Sequence, residues 1–254
     1  DLNIKAPFLK ALKDEGYISP TSIQQKTIPI VLKGLDIMGM AQTGTGKTAA
    51  FTLPILQKLN AKQSTKKARD LRALILAPTR ELAIQINESI RKYGHYIGIK
   101  HTVIFGGVKE GPQVKSLARG TDIIVATPGR LLDLINQGVC SLSKIQFFVL
   151  DEADRMLDMG FIKDVKKVIE LLPKERQTLF FSATMPEPVI KFSETILKSP
   201  VKVKVKSTLT PVERISQSVI VIDPQDKVLK LITLLKDKVF ETVIVFTRTK
   251  HKAN

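Results

Sequence analysis

Short, continuously apolar runs recur along this chain, and each one stops on small, polar or glycine residues. They are DIMGMA (36–41), ALILAP (73–78), TVIFGG (102–107), DIIVATP (122–128), FFVLDEAD (147–154) and QTLFFSAT (177–184). Most do not alternate polar and apolar residues, so they read as strands covered on both faces, as in a parallel sheet. Helical patterns lie between them. Leu82, Ile86 and Ile90 share one face of ELAIQINESIRKY (81–93), and FIKDVKKVIELLP (161–173) reads the same way with Pro173 as its stop. Strand and helix in alternation predict an α/β domain with an open, mostly parallel sheet and helices on both faces. Ligands of such a sheet bind beyond the carboxyl ends of its strands. QTGTGKT, PTREL, GG, TPGR, DEAD and SAT all fall there. Turn chemistry accounts for any one of them; six on one rim argue for a shared site.

The first of these, in MAQTGTGKT (40–48), is a phosphate-binding loop with one departure. The strict pattern wants glycine where Ala41 stands. The glycines that must approach phosphate, Gly44 and Gly46 on either side of Thr45, are present. They let backbone N–H groups curl around phosphate oxygens at the start of a helix, where the dipole adds positive charge. Lys47 would reach the β- and γ-phosphates, and the Thr48 hydroxyl would ligate Mg²⁺. VLDEAD supplies the partner chemistry. Asp151 would hold Mg²⁺, partly through water, and Glu152 would orient or deprotonate the attacking water. A helix N-cap with acids favoured by the dipole is the alternative for these carboxylates.

Charge points to a polyanion. Forty Lys and Arg face 24 Asp and Glu, a net +16. Part of that excess lies in KQSTKKARD (62–70), read as a solvated surface loop, and in VKVKVKS (201–207), read as a solvated run. The single cysteine, Cys140, is expected to be structural and fits a reducing, cytoplasmic setting. His95, His101 and His251 lack metal-like spacing. No apolar run is long enough to span a membrane, and DLNIKAPFLKAL lacks the features of a signal peptide.

Taken together, GYISPTSIQ (16–24), AQTGTGKT (41–48), APTRELA (77–83), GG (106–107), TPGR (127–130), DEAD (151–154) and SAT (182–184) resemble the DEAD-box RNA helicases. The details look closest to the bacterial RhlE-like subgroup. VIVFTRTK (243–250) resembles the first motif of that family's second domain. The family also carries alanine at the position of Ala41. The resemblance implies a RecA-like P-loop NTPase domain that uses ATP and Mg²⁺ and works on RNA. Gln24 would read the adenine edge, since an amide both donates and accepts. Tyr17 and Thr21 would lie beside it, and Thr43 would join the nucleotide-binding set. Ser182 and Thr184 would hydrogen-bond toward Asp154 and couple hydrolysis to RNA binding. RNA would meet Pro78, Thr79 and Arg80, then Gly106 and Gly107, then Thr127, Gly129 and Arg130. Such groups suit phosphate and sugar contacts, which predicts little sequence specificity and strong salt dependence. No aromatic interleaves these motifs, so base stacking is not expected. A DNA-directed P-loop translocase and an ATP-independent RNA-binding module are the other readings. GYISPTSIQ and the literal DEAD weigh against the first, and intact Lys47, Asp151 and Glu152 against the second.

Two departures from the family matter. Its usual upstream aromatic, counted back from Gly16, falls just before Asp1, and Phe8 is expected to be core instead. The second domain's arginines would lie beyond the TRTKHKAN end; such an arginine is worth about 10³–10⁵ in rate. The expected layout is a RecA-like ATP-binding domain over 1–206, a linker over 207–218 and the truncated start of a second domain over 219–254. That last piece, about 36 residues, is too small for its own core. Its strands, SVIVID (218–223) and TVIVFTRT (242–249), flank a helix at KVLKLITLLKD and would be exposed unless they pack on something, pairing with another chain being one such arrangement.

Overall fold

Seven strands form one sheet in a computed structural model that describes residues 2–61, 69–205, 216, 218–236 and 241–247. The elements run α1 (Ala6–Asp14), α2 (Ser22–Leu32), β1 (Ile37–Met40), α3 (Lys47–Ala61), β2 (Ala73–Leu76), α4 (Arg80–Tyr93) and β3 (His101–Ile104). They continue through α5 (Gly111–Ala118), β4 (Ile123–Ala126), α6 (Pro128–Asn136), β5 (Phe147–Leu150), α7 (Ala153–Asp158), α8 (Ile162–Glu170), β6 (Gln177–Ser182), α9 (Glu187–Glu194), β7 (Val201–Lys204) and α10 (Lys227–Leu235). Strand order is β3-β4-β2-β5-β6-β1-β7, and every pairing is parallel.

The apolar runs are explained by what covers them. Along β6, Leu179 and Phe181 join a core with Phe51, Ile23 and Ile86 from α3, α2 and α4. Phe180, between them, faces the other side and joins Leu131, Met156, Val165 and Phe192 from α6 to α9. A strand buried on both faces has no use for polar alternation. Phe8 lies wholly within the first core, as expected. Cys140 is buried, which pushes its thiol up to about 11 and leaves it structural.

The sheet is so tight at one point that only glycine fits. A Cβ on Gly39 of β1 would stand 2.5 Å from the Phe181 ring. Gly39→Ala should therefore destabilise by about 1–3 kcal/mol through overpacking. Urea unfolding would check this, and an unchanged midpoint would refute the packing account.

Two expectations are corrected. VKVKVKS is not simply a solvated run: its first four residues form edge strand β7, paired with β1. Val203 is buried while Lys202 and Lys204 point to solvent. Alternation of this kind marks an edge strand with one covered face, and the lysines blunt its free edge. The second correction concerns the C-terminal stretch. The chain divides into units 1–207 and 208–254. In the second, α10 forms as expected, but the described residues 218–223 and 241–247 carry no strand. Strands need partners for their backbone groups, and Val219, Val221 and Phe246 stay 91–93% exposed. The loop read at 62–70 and the linker read at 207–218 lie almost entirely outside the described residues. Among the described residues, no helix is long and apolar enough to cross a membrane.

Candidate functional site

The sheet order sorts the six polar clusters into two halves. QTGTGKT, DEAD and SAT follow β1, β5 and β6; PTREL, GG and TPGR follow β2, β3 and β4. All the strands are parallel, so all six ends lie on one rim.

Ala41 sits at the first end. It is 2% exposed, and its N–H donates to the Ser182 carbonyl (3.1 Å), extending the ladder between β1 and β6. The loop then turns through Gly44 (φ 83°) and Gly46 (φ 91°) into α3. Such backbone angles favour glycine. Gly46 is further constrained, because a Cβ there would stand 2.5 Å from the Gln24 amide nitrogen and 3.0 Å from Thr21 Oγ1. Gln24 Nε2 donates to the Gly46 carbonyl (3.2 Å), and Gln24 Oε1 accepts from the Thr21 N–H (2.9 Å). Gln24 thus braces the loop from the start of α2, with one N–H and one lone pair left over. Beside it, a cavity of about 190 Å³ is lined largely by apolar side chains, among them Leu2, Ile4, Tyr17 and Leu53. The Tyr17 hydroxyl is 2.6 Å from that of Tyr93, at the end of α4.

Lys47 opens α3 and is 5% exposed. Its ammonium is 3.9 Å from Asp151 Oδ1 and has no hydrogen-bond acceptor among the described residues. A buried, unsatisfied cation is costly, so its place fits a ligand that brings anionic oxygens. No Cβ-sized obstruction stands beside Gly44, and Thr48 is partly exposed next to Lys47. The residues present therefore fit a nucleotide phosphate and its Mg²⁺.

Asp151 is 2% exposed. Burial pushes its carboxyl up to about 6, with the Glu152 charge adding and Lys47 opposing. Glu152 has left-handed backbone angles (φ 52°, ψ 52°), a conformation that costs a non-glycine residue about 1–2 kcal/mol. That turn directs its carboxylate back across the rim. It accepts from Thr43 Oγ1 of the loop (3.0 Å) and from Arg155 Nη1 (3.2 Å). The link to Thr43 is not legible in the sequence, because it depends on the β1–β6–β5 adjacency, whereas the pair with Arg155 is a local i,i+3 contact.

Ser182 and Thr184 meet Asp154 as expected. The Asp154 N–H donates to Ser182 Oγ (3.2 Å), and Asp154 Oδ2 accepts from both the N–H and the hydroxyl of Thr184 (2.8 Å each). Burial pushes the Asp154 carboxyl up, but the Thr184 and Ser182 bonds outweigh it and hold it below the usual carboxylate range.

The other half of the rim is more open. Cβ atoms on Gly106, Gly107 or Gly129 would meet nothing within 4 Å. Thr79 caps α4 by accepting from the Leu82 N–H (3.2 Å). Thr127 stands at the N-cap of α6 with Pro128 next. Arg130 Nη2 donates to the Val108 carbonyl (3.2 Å), tying the GG loop to TPGR. Pro78 is buried and shapes its turn. One expectation here is corrected. An aromatic does stand among these motifs: Phe105 immediately precedes GG, and the Arg80 guanidinium lies 5.1 Å from its ring centroid.

The family model of the DEAD/DEAH box helicases matches residues 21–192. The chain is 43% identical over 252 residues to the ATP-dependent RNA helicase DeaD of Escherichia coli K12, covering 99% of this chain and 39% of that protein. It is 42% identical over 254 residues to the DEAD-box ATP-dependent RNA helicase CshA of Geobacillus kaustophilus, covering 100% and 53% respectively. These relatives support the family and not the RhlE-like subgroup. A solved DEAD box protein from Methanococcus jannaschii superposes with a TM-score of 0.75 at 38% identity, over 94% of this chain and 63% of that one. A hypothetical ATP-dependent RNA helicase from Sulfolobus tokodaii gives 0.72 at 36%, over 78% and 56%. The chain thus spans about half or less of the length of the curated relatives named here.

Proposed function

The chain belongs to the DEAD/DEAH box helicase family, and from that premise we propose that it carries the ATP-binding and RNA-backbone-binding rim of an ATP-dependent RNA helicase. Residues 1–206 would be the first RecA-like domain, 207–218 a linker and 219–254 the start of the second. Coupling of RNA-stimulated ATP hydrolysis to local duplex unwinding would belong to the whole protein, in a cytoplasmic setting. The exposed apolar residues of 219–254 offer a surface for contact with another chain.

The observation that carries this reading is Lys47, a buried ammonium without an acceptor, beside Asp151 at the mouth of a glycine loop. Thr43, Gly44, Thr45 and Gly46 would wrap the phosphates, and Lys47 would neutralise them. Thr48 and Asp151 would hold Mg²⁺, which supplies charge neutralisation at the phosphoryl group. Glu152 would accept a proton from water. Tyr17, Thr21 and Gln24 would meet the adenine, Gln24 through its remaining donor and acceptor. Thr79, Arg80, Gly106, Gly107, Thr127, Gly129 and Arg130 would hold the RNA backbone, with Pro78 fixing their turn. Asp154, Ser182 and Thr184 follow β5 and β6, between the phosphate loop after β1 and the PTREL cluster after β2, and would carry the coupling, which requires both sites to bias one conformational equilibrium.

The test is ATP turnover by the full-length protein with RNA or DNA at matched salt, alongside Lys47→Ala. RNA stimulation that DNA does not reproduce, lost in Lys47→Ala, is the expected result. Equal stimulation by DNA would favour a DNA translocase. RNA binding with no turnover would favour a binding module.

A further inference from the structure

Strand β3 is one edge of the sheet, and two hollows meet along its free side. One, of about 560 Å³, includes Lys109 and Phe105 in its wall; the other, of about 310 Å³, includes Lys100 and Arg119. Both touch His101, Thr102 and Ser116, so they form one groove. It starts beside the GG loop and runs down the edge between α4 and α5.

Neither hollow is lined by a carboxylate, while Lys100, Lys109 and Arg119 are all exposed. The nearby acids are engaged elsewhere. Glu88 pairs with Arg91, Glu110 accepts from Gln137, and Asp122 is held by Arg69, Arg72 and the Lys100 N–H. Burial pushes the His101 imidazole down, so the positive charge of the groove comes from the lysines and the arginine.

The backbone of β3 adds alternating donors and acceptors. The Ile123 N–H donates to the Lys100 carbonyl and the Thr127 N–H to that of Ile104, so the even-numbered positions face β4. By alternation, the N–H and C=O groups of His101 and Val103 face the groove. The Phe105 carbonyl also points outward and is capped by Gln113 Nε2 (3.0 Å). N–H groups suit phosphate oxygens, and carbonyls suit the 2′-hydroxyl that only RNA carries.

From this we infer that the β3 edge groove, with Lys100, Lys109 and Arg119, is a second track for the RNA backbone that takes the strand as it leaves the GG loop. The inference rests on the RNA reading above. It gives the protein a footprint longer than its rim and a preference for single strands that extend past it.

The test compares full-length protein with the triple variant Lys100→Glu, Lys109→Glu, Arg119→Glu on oligo(U) of roughly 6 and roughly 16 nucleotides. The long strand should bind the variant about tenfold more weakly, with a salt slope reduced by about 2, near 0.7 per lost phosphate contact. The short strand should bind both proteins alike, and single-stranded DNA of the long length should show a smaller loss. The triple glutamine variant, which removes charge without reversing it, should show the same pattern in milder form. Equal losses for both lengths, or none, would overturn the inference while leaving the RNA reading standing. Wild-type protein that binds neither oligonucleotide would overturn both. If the variant lost affinity for polyglutamate alone, the groove would belong to an acidic protein partner and the RNA track would fall.

Discussion

Replacing Asp122 by alanine should lower the stability of the fold by about 3–5 kcal/mol, because it strips the counter-charge from a buried arginine. Asp122 is 1% exposed, one residue before β4. Its carboxylate accepts from Arg72 Nη2 (2.6 Å), Arg69 Nη1 (2.5 Å) and the Lys100 N–H (2.9 Å). Its backbone carbonyl accepts from the N–H groups of Arg72 and Ala73, and its own N–H donates to Lys100. One residue thus ties together the entries to β2, β3 and β4. Burial pushes its carboxyl up, but the bonds from Lys100, Arg72 and Arg69 outweigh this and hold it below the usual range. A carboxyl depressed in the folded state contributes fully above its unfolded value of about 3.9, and that contribution is lost as pH falls through the lower folded value. Urea unfolding at pH 7 should show the full penalty, and the gap between wild type and variant should close on acidification. A gap under about 1 kcal/mol at pH 7, or one that ignores pH, would show that the cluster is not what holds these strands.

Glu152→Gln should leave ATP binding in place and lower ATP turnover of the full-length protein by about 10²–10⁴, the usual contribution of a positioned base. The geometry keeps the loop contact in this substitution. Glutamine retains the Oε1 atom that accepts from Thr43. It keeps the same backbone demand at φ 52°, and it removes the capacity to take a proton together with the ion pair to Arg155 on the other carboxylate oxygen. Single-turnover hydrolysis with a parallel nucleotide-binding measurement would check both halves. Turnover within about twofold of wild type would remove Glu152 from the proton-transfer role, and lost binding would make it structural.

The sheet was legible because burial on both faces leaves a plain signature. The runs at 73–78 and 147–154 become β2 and β5 once Ala77-Pro78 and the acidic DEAD end are trimmed. VKVKVKS was not legible as β7, since a half-covered edge strand of valine and lysine looks like solvated chain until its partner β1 is known. The residues of the proposed nucleotide site were readable individually, because Gly-Lys-Thr after a buried strand and an apolar strand ending in acid are local patterns. Their connections were not. That Thr43 touches Glu152 and that Arg80 covers Phe105 follow from strand order, and that Gln24 braces Gly46 follows from the packing of α2 on α3. A single sequence does not fix that order, because β1 pairs with β6 and β7, more than a hundred positions away. The described residues of SVIVID and TVIVFTRT, 218–223 and 242–247, mark the opposite limit: high strand propensity forms no strand where no described strand pairs with it.

The strand order β3-β4-β2-β5-β6-β1-β7 has a consequence for how such a protein can diversify. The three strands with the open loops are consecutive in the chain, from Ala73 to Ala126, while the phosphate loop precedes them and the acidic motif follows. Under the proposed function, the surface that would grip the polyanion is thus encoded as one uninterrupted cassette, set between the two parts of the proposed hydrolytic centre. A recombination event bounded by residues near 70 and 140 would exchange that surface without altering a single residue of the phosphate loop, DEAD or SAT. Substrate preference and phosphate chemistry would then be separately heritable within one domain.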